Sequence, residues 1–394
     1  MRRTAIYHLC STGAQRLAAQ PRRVTDLNAS ISDIFREHGP EYLRRFAETM
    51  PKEHKKVIAA IIKCRTEVCG AAIYYCEHCD QLHAVPRGCG NRHCPGCQNH
   101  KSRQWLQTQL ERQLPGHHFM LTFTVPEILR PFLRGHQRVG YSALFAASSK
   151  AIKKLAADPR FVGGDTTGFF GVLHTWGRQL QYHPHIHYVV AGGALDSRGG
   201  RWLPSSPNFF LPVRALSKIY RAVFRKLMAK ANLLGEIPKE AWTTAWNVNS
   251  QAVGSSEASI KYLTPYVFRV AISNNRIIKV EDCGVFIRYQ KTGSNRPRTM
   301  VLDVLEFIRR FLQHVLPSGF MKVRYYGLLS PSFRLGLKEV CARIELAFGF
   351  AVATVHVESV PMPKMTCRRC GHALTYLYSL LPYRSMAMEG GPPG

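Results

Sequence analysis

Acidic side chains are scarce in this sequence: 25 Asp and Glu stand against 54 Lys and Arg over 394 residues, leaving a formal charge of +29. A chain so short of negative charge repels itself unless its surface meets polyanions, so nucleic acid is the expected partner and anionic lipid the competing one. Long apolar runs are lacking too. No stretch approaches the roughly 18 apolar residues a membrane span needs, which argues against a membrane protein. Met1–Val24 is Arg-rich without a continuous apolar segment, so a secretory signal is excluded and residues 1–32 read as a basic arm. The expected setting is intracellular. No internal repeat or long low-complexity tract occurs, so nothing indicates a solenoid.

What is present suits a folded enzyme. Hydrophobic residues make up 45% and aromatic residues 10%, enough for two or three domains with their own cores. Residues 33–114 carry helical patterns at Phe35–Met50, His54–Cys64 and Ser102–Leu114, with a cysteine-rich stretch between the second and the third. Residues 115–300 change character, with β-branched and aromatic runs at Phe119–Val125, Phe169–Trp176, His185–Ala191, Val267–Ile272, Arg276–Val280 and Val285–Tyr289. That mixture predicts an α+β domain. Residues 301–360 read as a small basic helical region, with a helix over Val301–Leu316 that Pro317 and Gly319 end. Residues 361–394 form a tail that carries Cys367-Arg-Arg-Cys370 and closes on a Gly- and Pro-rich dozen expected to be disordered.

Eight of the twelve cysteines lie at Cys10 and between Cys64 and Cys97, and a reducing compartment makes metal binding the expected use. Cys76-Glu-His-Cys79 and Cys94-Pro-Gly-Cys97 are two CxxC pairs 14 residues apart, each able to present two thiolates from one tight turn. These four are the expected ligands of one structural zinc. Cys64, Cys69, Cys89 and His93 can replace one of the four, or complete a second site with His78 or His83. Cys367 and Cys370 are either half of a site completed from elsewhere or an idle pair.

In a strand successive side chains alternate, so His183, His185 and His187 share one face. If residues 177–182 form a hairpin loop, symmetric pairing sets His174 opposite His185, within reach of a shared metal. His185 and His187 are the first ligand candidates, then His174, then His183, because Pro184 marks the expected start of the strand. Tyr262 and Tyr266 are four apart, which on a helix puts both hydroxyls on one face, with Ser255 or Ser256 and Glu257 at its start. Pro265 is expected to end or kink that helix.

Taken together, these blocks resemble the HUH transposases of the insertion-sequence-91 type and the related common-region elements. The resemblance runs from about Asp33 to Arg334. It rests on Gly88-Cys-Gly-Asn-Arg-His-Cys-Pro-Gly-Cys-Gln98, Leu121-Thr-Phe-Thr-Val-Pro126, His174-Thr-Trp-Gly, Tyr182-His-Pro-His-Ile-His187, Tyr262-Leu-Thr-Pro-Tyr266 running into Arg269–Asn274, and Phe307–Leu312 with His314–Pro317.

The resemblance implies a zinc-binding amino-terminal region followed by an HUH nuclease domain, an antiparallel sheet flanked by helices. It places the HUH pair on His185 and His187 and the nucleophilic tyrosines on Tyr262 and Tyr266. It further implies catalytic Mg²⁺ or Mn²⁺, structural Zn²⁺, single-stranded DNA at element ends as substrate, and a bacterial cytoplasm with nucleoid association as the setting. The expected reaction is nicking and rejoining through a 5′-phosphotyrosine in rolling-circle transposition. A replication initiator, a relaxase and a non-catalytic zinc-dependent DNA-binding regulator are the competing functions; the zinc region and the block after Tyr266 favour the transposase.

Overall fold

A capping box opens the first helix, α1 (Ile31–Phe46): Asp33 N–H donates to the Ser30 hydroxyl and Ser30 N–H to the Asp33 carboxylate. The structure is a computed structural model that describes residues 30–349, apart from 197, 199, 269–271, 291–292 and 295, together with residues 364–382. The basic arm up to residue 29, the final residues of the tail and positions 269–271 of the block after Tyr266 lie outside the described residues. Among the described residues no helix is long and apolar enough to cross a membrane.

After α1 come α2 (Lys52–Lys63), the hairpin β1 (Ala71–Cys76) and β2 (Gln81–Pro86), and α3 (Asn99–Glu111). The middle of the chain supplies β3 (His118–Thr124), α4 (Arg130–Gly135), α5 (Gln137–Ala156), β4 (Phe169–Trp176) and β5 (Tyr182–Ala191). It continues through β6 (Gly193–Asp196), β7 (Arg201–Pro204), α6 (Val213–Lys230), β8 (Val248–Gly254) and α7 (Glu257–Phe268). Three strands follow, β9 (Ile277–Glu281), β10 (Gly284–Gln290) and β11 (Pro297–Asp303). The last elements are α8 (Val304–Leu312), β12 (Val323–Tyr326), α9 (Leu337–Phe348) and β13 (Thr375–Leu380).

The architecture is α+β and antiparallel. Its centre is a five-stranded sheet in the order β12-β4-β5-β3-β8. The two-residue period of its strands divides the sheet into two unlike faces. Phe119, Leu121 and Phe123 of β3, Ile186, Tyr188 and Val190 of β5 and Phe169 and Leu173 of β4 point into the main core against α5 and α6. There Tyr141, Leu144 and Phe145 meet Tyr220, Phe224 and Met228. Burying a large apolar side chain contributes about 1.5–3 kcal/mol, so this layer holds the sheet rigid beneath whatever its other face carries.

The opposite face is apolar at one end only. Phe170, Val172 and Val189 pack there with Ile260 and Leu263 of α7 and with Trp105, Leu106 and Leu110 of α3. Toward the β4–β5 turn the same rows continue as His174, His185 and His187. A second three-stranded sheet, β11-β10-β9, shares an apolar cluster with α1, α2 and α8, built around Phe35, Ile58, Val285, Phe307 and Phe311.

Some sequence expectations need correction. Val267 and Phe268, expected to open a strand, instead finish α7, because Ile260 and Leu263 anchor that helix on the sheet. The helix expected over Val301–Leu316 spans Val304–Leu312, since Val301–Asp303 complete β11 and Asp303 caps the helix by accepting from Leu305 N–H and Glu306 N–H. The strand expected from His185 begins at Tyr182, so His183 and Pro184 are inside it. Pro184 falls beyond the last paired residue of β3, Thr124, so its missing N–H costs no bond to that strand. The expected helical amino-terminal region also contains the β1–β2 hairpin.

Candidate active site and metal centres

His174 pairs directly with His185 across β4 and β5, the register that symmetric closure of the hairpin predicts; a bulge between His174 and Trp176 follows at once. Thr122 of β3 lies opposite His187 on the other side of β5. The ligand atoms of His174, His185 and His187 all lie within 4.8 Å of one another. His183 is on the same face but outside that group.

Each ring is held from behind. His185 Nδ1–H donates to the His183 carbonyl oxygen at 2.7 Å, and Thr122 Oγ1 is 2.9 Å from His187 Nδ1. Both rings therefore keep Nε2 for the shared space. His174 Nε2 is buried with no hydrogen-bond partner, a costly omission for a polar atom unless something binds it. Burial above all, then the neighbouring imidazoles, holds His174 well below the ordinary histidine range, and burial does the same for His185; His187 is pulled down to about 4, again chiefly by burial. All three are thus neutral near pH 7 with lone pairs free, the state in which imidazole ligates a divalent ion.

Helix α7 lies over these histidines. Ile260 N–H donates to the Ser256 carbonyl at 2.9 Å, so the helix starts where the sequence suggests, although the Ser256 hydroxyl itself caps nothing. Pro265 does not end it. The helix continues to Phe268, and Tyr262 and Tyr266 stay one turn apart with ring centroids 5.1 Å from each other. Tyr266 stacks on His174 at 4.6 Å and on Trp176 at 5.9 Å, while Tyr262 meets His187 edge-on at 6.3 Å. Tyr262 is 48% exposed. Burial of its inner part, together with the neighbouring Tyr266, pushes the Tyr262 hydroxyl above its ordinary range.

These residues open on a cleft of about 1130 Å³ lined by Arg130, Arg178, Arg276, Arg288 and Arg298 and, among the described residues, by no carboxylate. Arg276 is fixed by donating to the carbonyls of Arg288 at 3.0 Å and Arg178 at 2.5 Å. A cleft of this size and sign, with aromatic rings at its floor, suits a nucleic acid strand. Tyr289 lines it as well. Tyr325 and Tyr326 are committed elsewhere, to Trp105 and Phe170 and to Phe169.

Sequence reasoning missed Lys322. Its ammonium donates to the Tyr266 carbonyl at 2.6 Å and sits 4.7 Å from the centre of the Trp176 ring. Burial, reinforced by Arg92, pulls it down to about 7. No local pattern marks it, because the helix it supports is 56 residues away. Thr122 was legible in principle, since β3 alternation puts it on the histidine face.

The cysteines form two groups, not the one expected. Cys94 and Cys97 converge with Cys64 and Cys89, whereas Cys76 and Cys79 converge with Cys367 and Cys370. The reason is the hairpin between them. Cys76 ends β1 at the hairpin tip, opposite Gln81, while Arg87 N–H donates to Gly70 O at its base, beside Cys64 and Cys89. Six residues of strand separate tip from base by about 20 Å, against Zn–S bonds of about 2.3 Å.

In the first group Cys64 Sγ is 3.3 Å and Cys89 Sγ 3.7 Å from Cys97 Sγ, near the 3.8 Å or so expected between thiolates on one tetrahedral zinc. Gly88 is required there, since a Cβ would come within 2.7 Å of Cys97 Sγ. Cys69 and His93 are used otherwise: Cys69 Sγ donates to Lys63 O, and His93 Nε2 accepts from Leu316 N–H at 3.1 Å.

Comparison with known proteins agrees with this layout. Residues 34–125 match a family described as "Transposase zinc-binding domain", and residues 168–335 match one described as "Putative transposase". The chain is 35% identical over 327 residues to "Putative transposase y4qJ" of Sinorhizobium fredii, covering 77% of this chain and 81% of that protein. It is 26% identical over 310 residues to "Transposase for insertion sequence element IS801" of Pseudomonas savastanoi pv. phaseolicola, covering 70% of each. No solved structure matches significantly. The zinc-binding match and the clustered cysteines together support a structural zinc.

Proposed function

The chain belongs to the insertion-sequence-91 family of transposases, DNA-cleaving and strand-transferring enzymes, and from that premise we propose that it nicks and rejoins single-stranded DNA at element ends through a tyrosine of α7, in rolling-circle transposition. The observation that carries the proposal is the seating of Tyr262 and Tyr266 directly over His174, His185 and His187 in an arginine-lined cleft.

In this reading the Tyr262 oxygen attacks the phosphorus, loses its proton, and the P–O3′ bond breaks; the departing 3′ oxygen takes up a proton. The product is a 5′-phosphotyrosine and a free 3′-OH, and the conserved bond energy allows rejoining without ATP. Tyr266, one turn further on the same helix, is placed to accept a second end while the first is held. The cleft arginines bind and orient the backbone phosphates, and Trp176 and Tyr289 offer faces to the bases.

His174, His185 and His187 fit a divalent ion, because one ring has an orphaned buried nitrogen and the other two have their rear nitrogens already bonded. Bound there, Mg²⁺ or Mn²⁺ would withdraw charge from a phosphate oxygen and stabilise the transition state, imidazole suiting Mn²⁺ somewhat better. Thr122 and the His183 carbonyl fix the orientation of two of the rings.

The test is incubation of the zinc-loaded protein with a single-stranded oligonucleotide of the element end and Mn²⁺. The expected result is a protein–DNA adduct that survives denaturation. Folded, metal-loaded protein that forms no adduct on any element-end strand would overturn the nuclease reading.

A further inference from the structure

Cys76 is fully buried and Cys367 is 3% exposed, although they lie in a sheet with almost no core of its own. The three strands β13-β1-β2 pair antiparallel, with Ala71 opposite Leu380 at one end and Tyr75 opposite Thr375 at the other. Tyr376, Leu377, Tyr378 and Leu380 of β13 and Leu82 of β2 are all exposed, and no residue of the three strands joins any of the molecule's apolar clusters. Ile73 is the one aliphatic side chain buried in these strands, and a hairpin with one added strand and so small an apolar face is not expected to hold together in water. Something other than hydrophobic burial must close it.

At one end of this sheet two tight turns face each other. Cys76-Glu-His-Cys79 forms the β1–β2 turn. Cys367-Arg-Arg-Cys370 forms the other, closed by Gly371 N–H donating to Cys367 O at 2.9 Å and Cys367 N–H to His372 O at 2.8 Å. Gly371 holds φ +76°, a left-handed conformation suited to glycine. Cys76 Sγ and Cys370 Sγ are 3.5 Å apart, and all four sulfurs lie within 4.8 Å of one another. Side chains around them support the turns: His83 Nε2 is 3.4 Å from Cys367 Sγ, and Thr375 Oγ1 donates to Glu77 Oε1 at 3.1 Å.

We propose that Cys76, Cys79, Cys367 and Cys370 bind a second structural zinc ion, which clasps the carboxy-terminal segment to the amino-terminal hairpin. The site is tetrathiolate. His78 and His372 also approach Cys370, but both are exposed and their rings stack on each other at 4.0 Å and 10°, whereas the four sulfurs already make a complete tetrahedral set. Half of the site lies outside both family matches, which end at residues 125 and 335. Because the ligands come from positions almost three hundred residues apart, the metal stands in for the missing apolar core and sets the tail's position on the hairpin.

The test uses the full chain purified under reducing conditions. Zinc counted by mass spectrometry should be two ions per chain, falling to one in Cys367→Ser/Cys370→Ser. One ion in the unaltered protein, or two retained in the variant, overturns the proposal. Where the variant aggregates, the unaltered protein decides by itself. Native Cys367 and Cys370 should resist iodoacetamide and become labelled on chelation, and trypsin should then cut at Arg368 or Arg369. Labelling of both cysteines at the same rate with and without chelator overturns the clasp.

Discussion

The phenol ring of Tyr266 lies on the imidazole of His174, centroids 4.6 Å apart and planes inclined by 27°, while the more exposed Tyr262 meets His187 edge-on. The two tyrosines are therefore not equivalent. Tyr266 is packed on the stacked pair His174 and Trp176, and Tyr262 projects toward the open cleft. Replacing Tyr262 by Phe is expected to abolish the first cleavage, by about 10³-fold or more, as removal of a covalent nucleophile does. Tyr266→Phe should leave that cut largely intact and stop strand transfer. Covalent adducts on denaturing gels distinguish the two steps, and a first cut that persists in Tyr262→Phe through Tyr266 would reverse the assignment.

Much of this site was legible because its parts repeat at strand and helix periods. Alternation placed three histidines on one face, and hairpin arithmetic put His174 opposite His185. The tyrosine helix was legible only in part, since Pro265 argues locally against it. What overrides that local preference is tertiary: Ile260 and Leu263 bury against β4 and β5, and Lys322 bonds the carbonyl of Tyr266. The cysteine pairing was legible only as open alternatives. A CxxC announces half of a site, but which other half it meets depends on a hairpin about 20 Å long and on a strand arriving from the far end of the chain. Edge strands such as β8 and β12 escaped for a different reason: β8 is largely polar and exposed, and the four residues of β12 are too few to show a period.

Thr122 touches a candidate ligand and is not one of the residues that line the cleft. Thr122→Val keeps the shape and removes the bond to His187 Nδ1, freeing that ring to rotate. Supporting residues of this kind typically account for about 10–100-fold in metal affinity or activity. Mn²⁺ titration of Thr122→Val should show weaker binding of that order, with thermal stability little changed, and His187→Ala should lose Mn²⁺-dependent adduct formation altogether. Unaltered Mn²⁺ affinity in both variants would remove these histidines from the metal site.

Buried neutral histidines outside the cleft should make the fold sensitive to mild acid. Burial pushes His118 down to about 4 and His314 to about 3. With an unfolded value near 6.5, the unfolded chain binds protons that the folded chain refuses as the pH falls below 6.5. Stability is then fully present above that value and declines toward pH 4, by on the order of 1 kcal/mol per pH unit for each histidine. Urea midpoints at constant ionic strength should fall between pH 7 and pH 5, and His118→Asn, which can still donate to the Gly116 carbonyl, should flatten the slope. A midpoint unchanged over that interval contradicts the account.

Lys322 tests whether the helix must be held as well as armed. Its ammonium reaches the Tyr266 carbonyl from β12's side of the sheet and rests against Trp176, so it ties the last turn of α7 to the wall of the cleft. Lys322→Met retains the length and apolar stem but removes the donor. A charged hydrogen bond in such a place is worth about 1.5–3 kcal/mol, and if a good part of that maintains the aim of the tyrosines, adduct formation should slow by about tenfold or more. The loss should fall on kcat, with KM for the oligonucleotide and Mn²⁺ affinity nearly unchanged, because neither the arginines nor the histidines are touched. A general loss of stability would instead lower the fraction of active protein and leave kcat per active site as it was, which active-site titration by burst amplitude separates from slower chemistry.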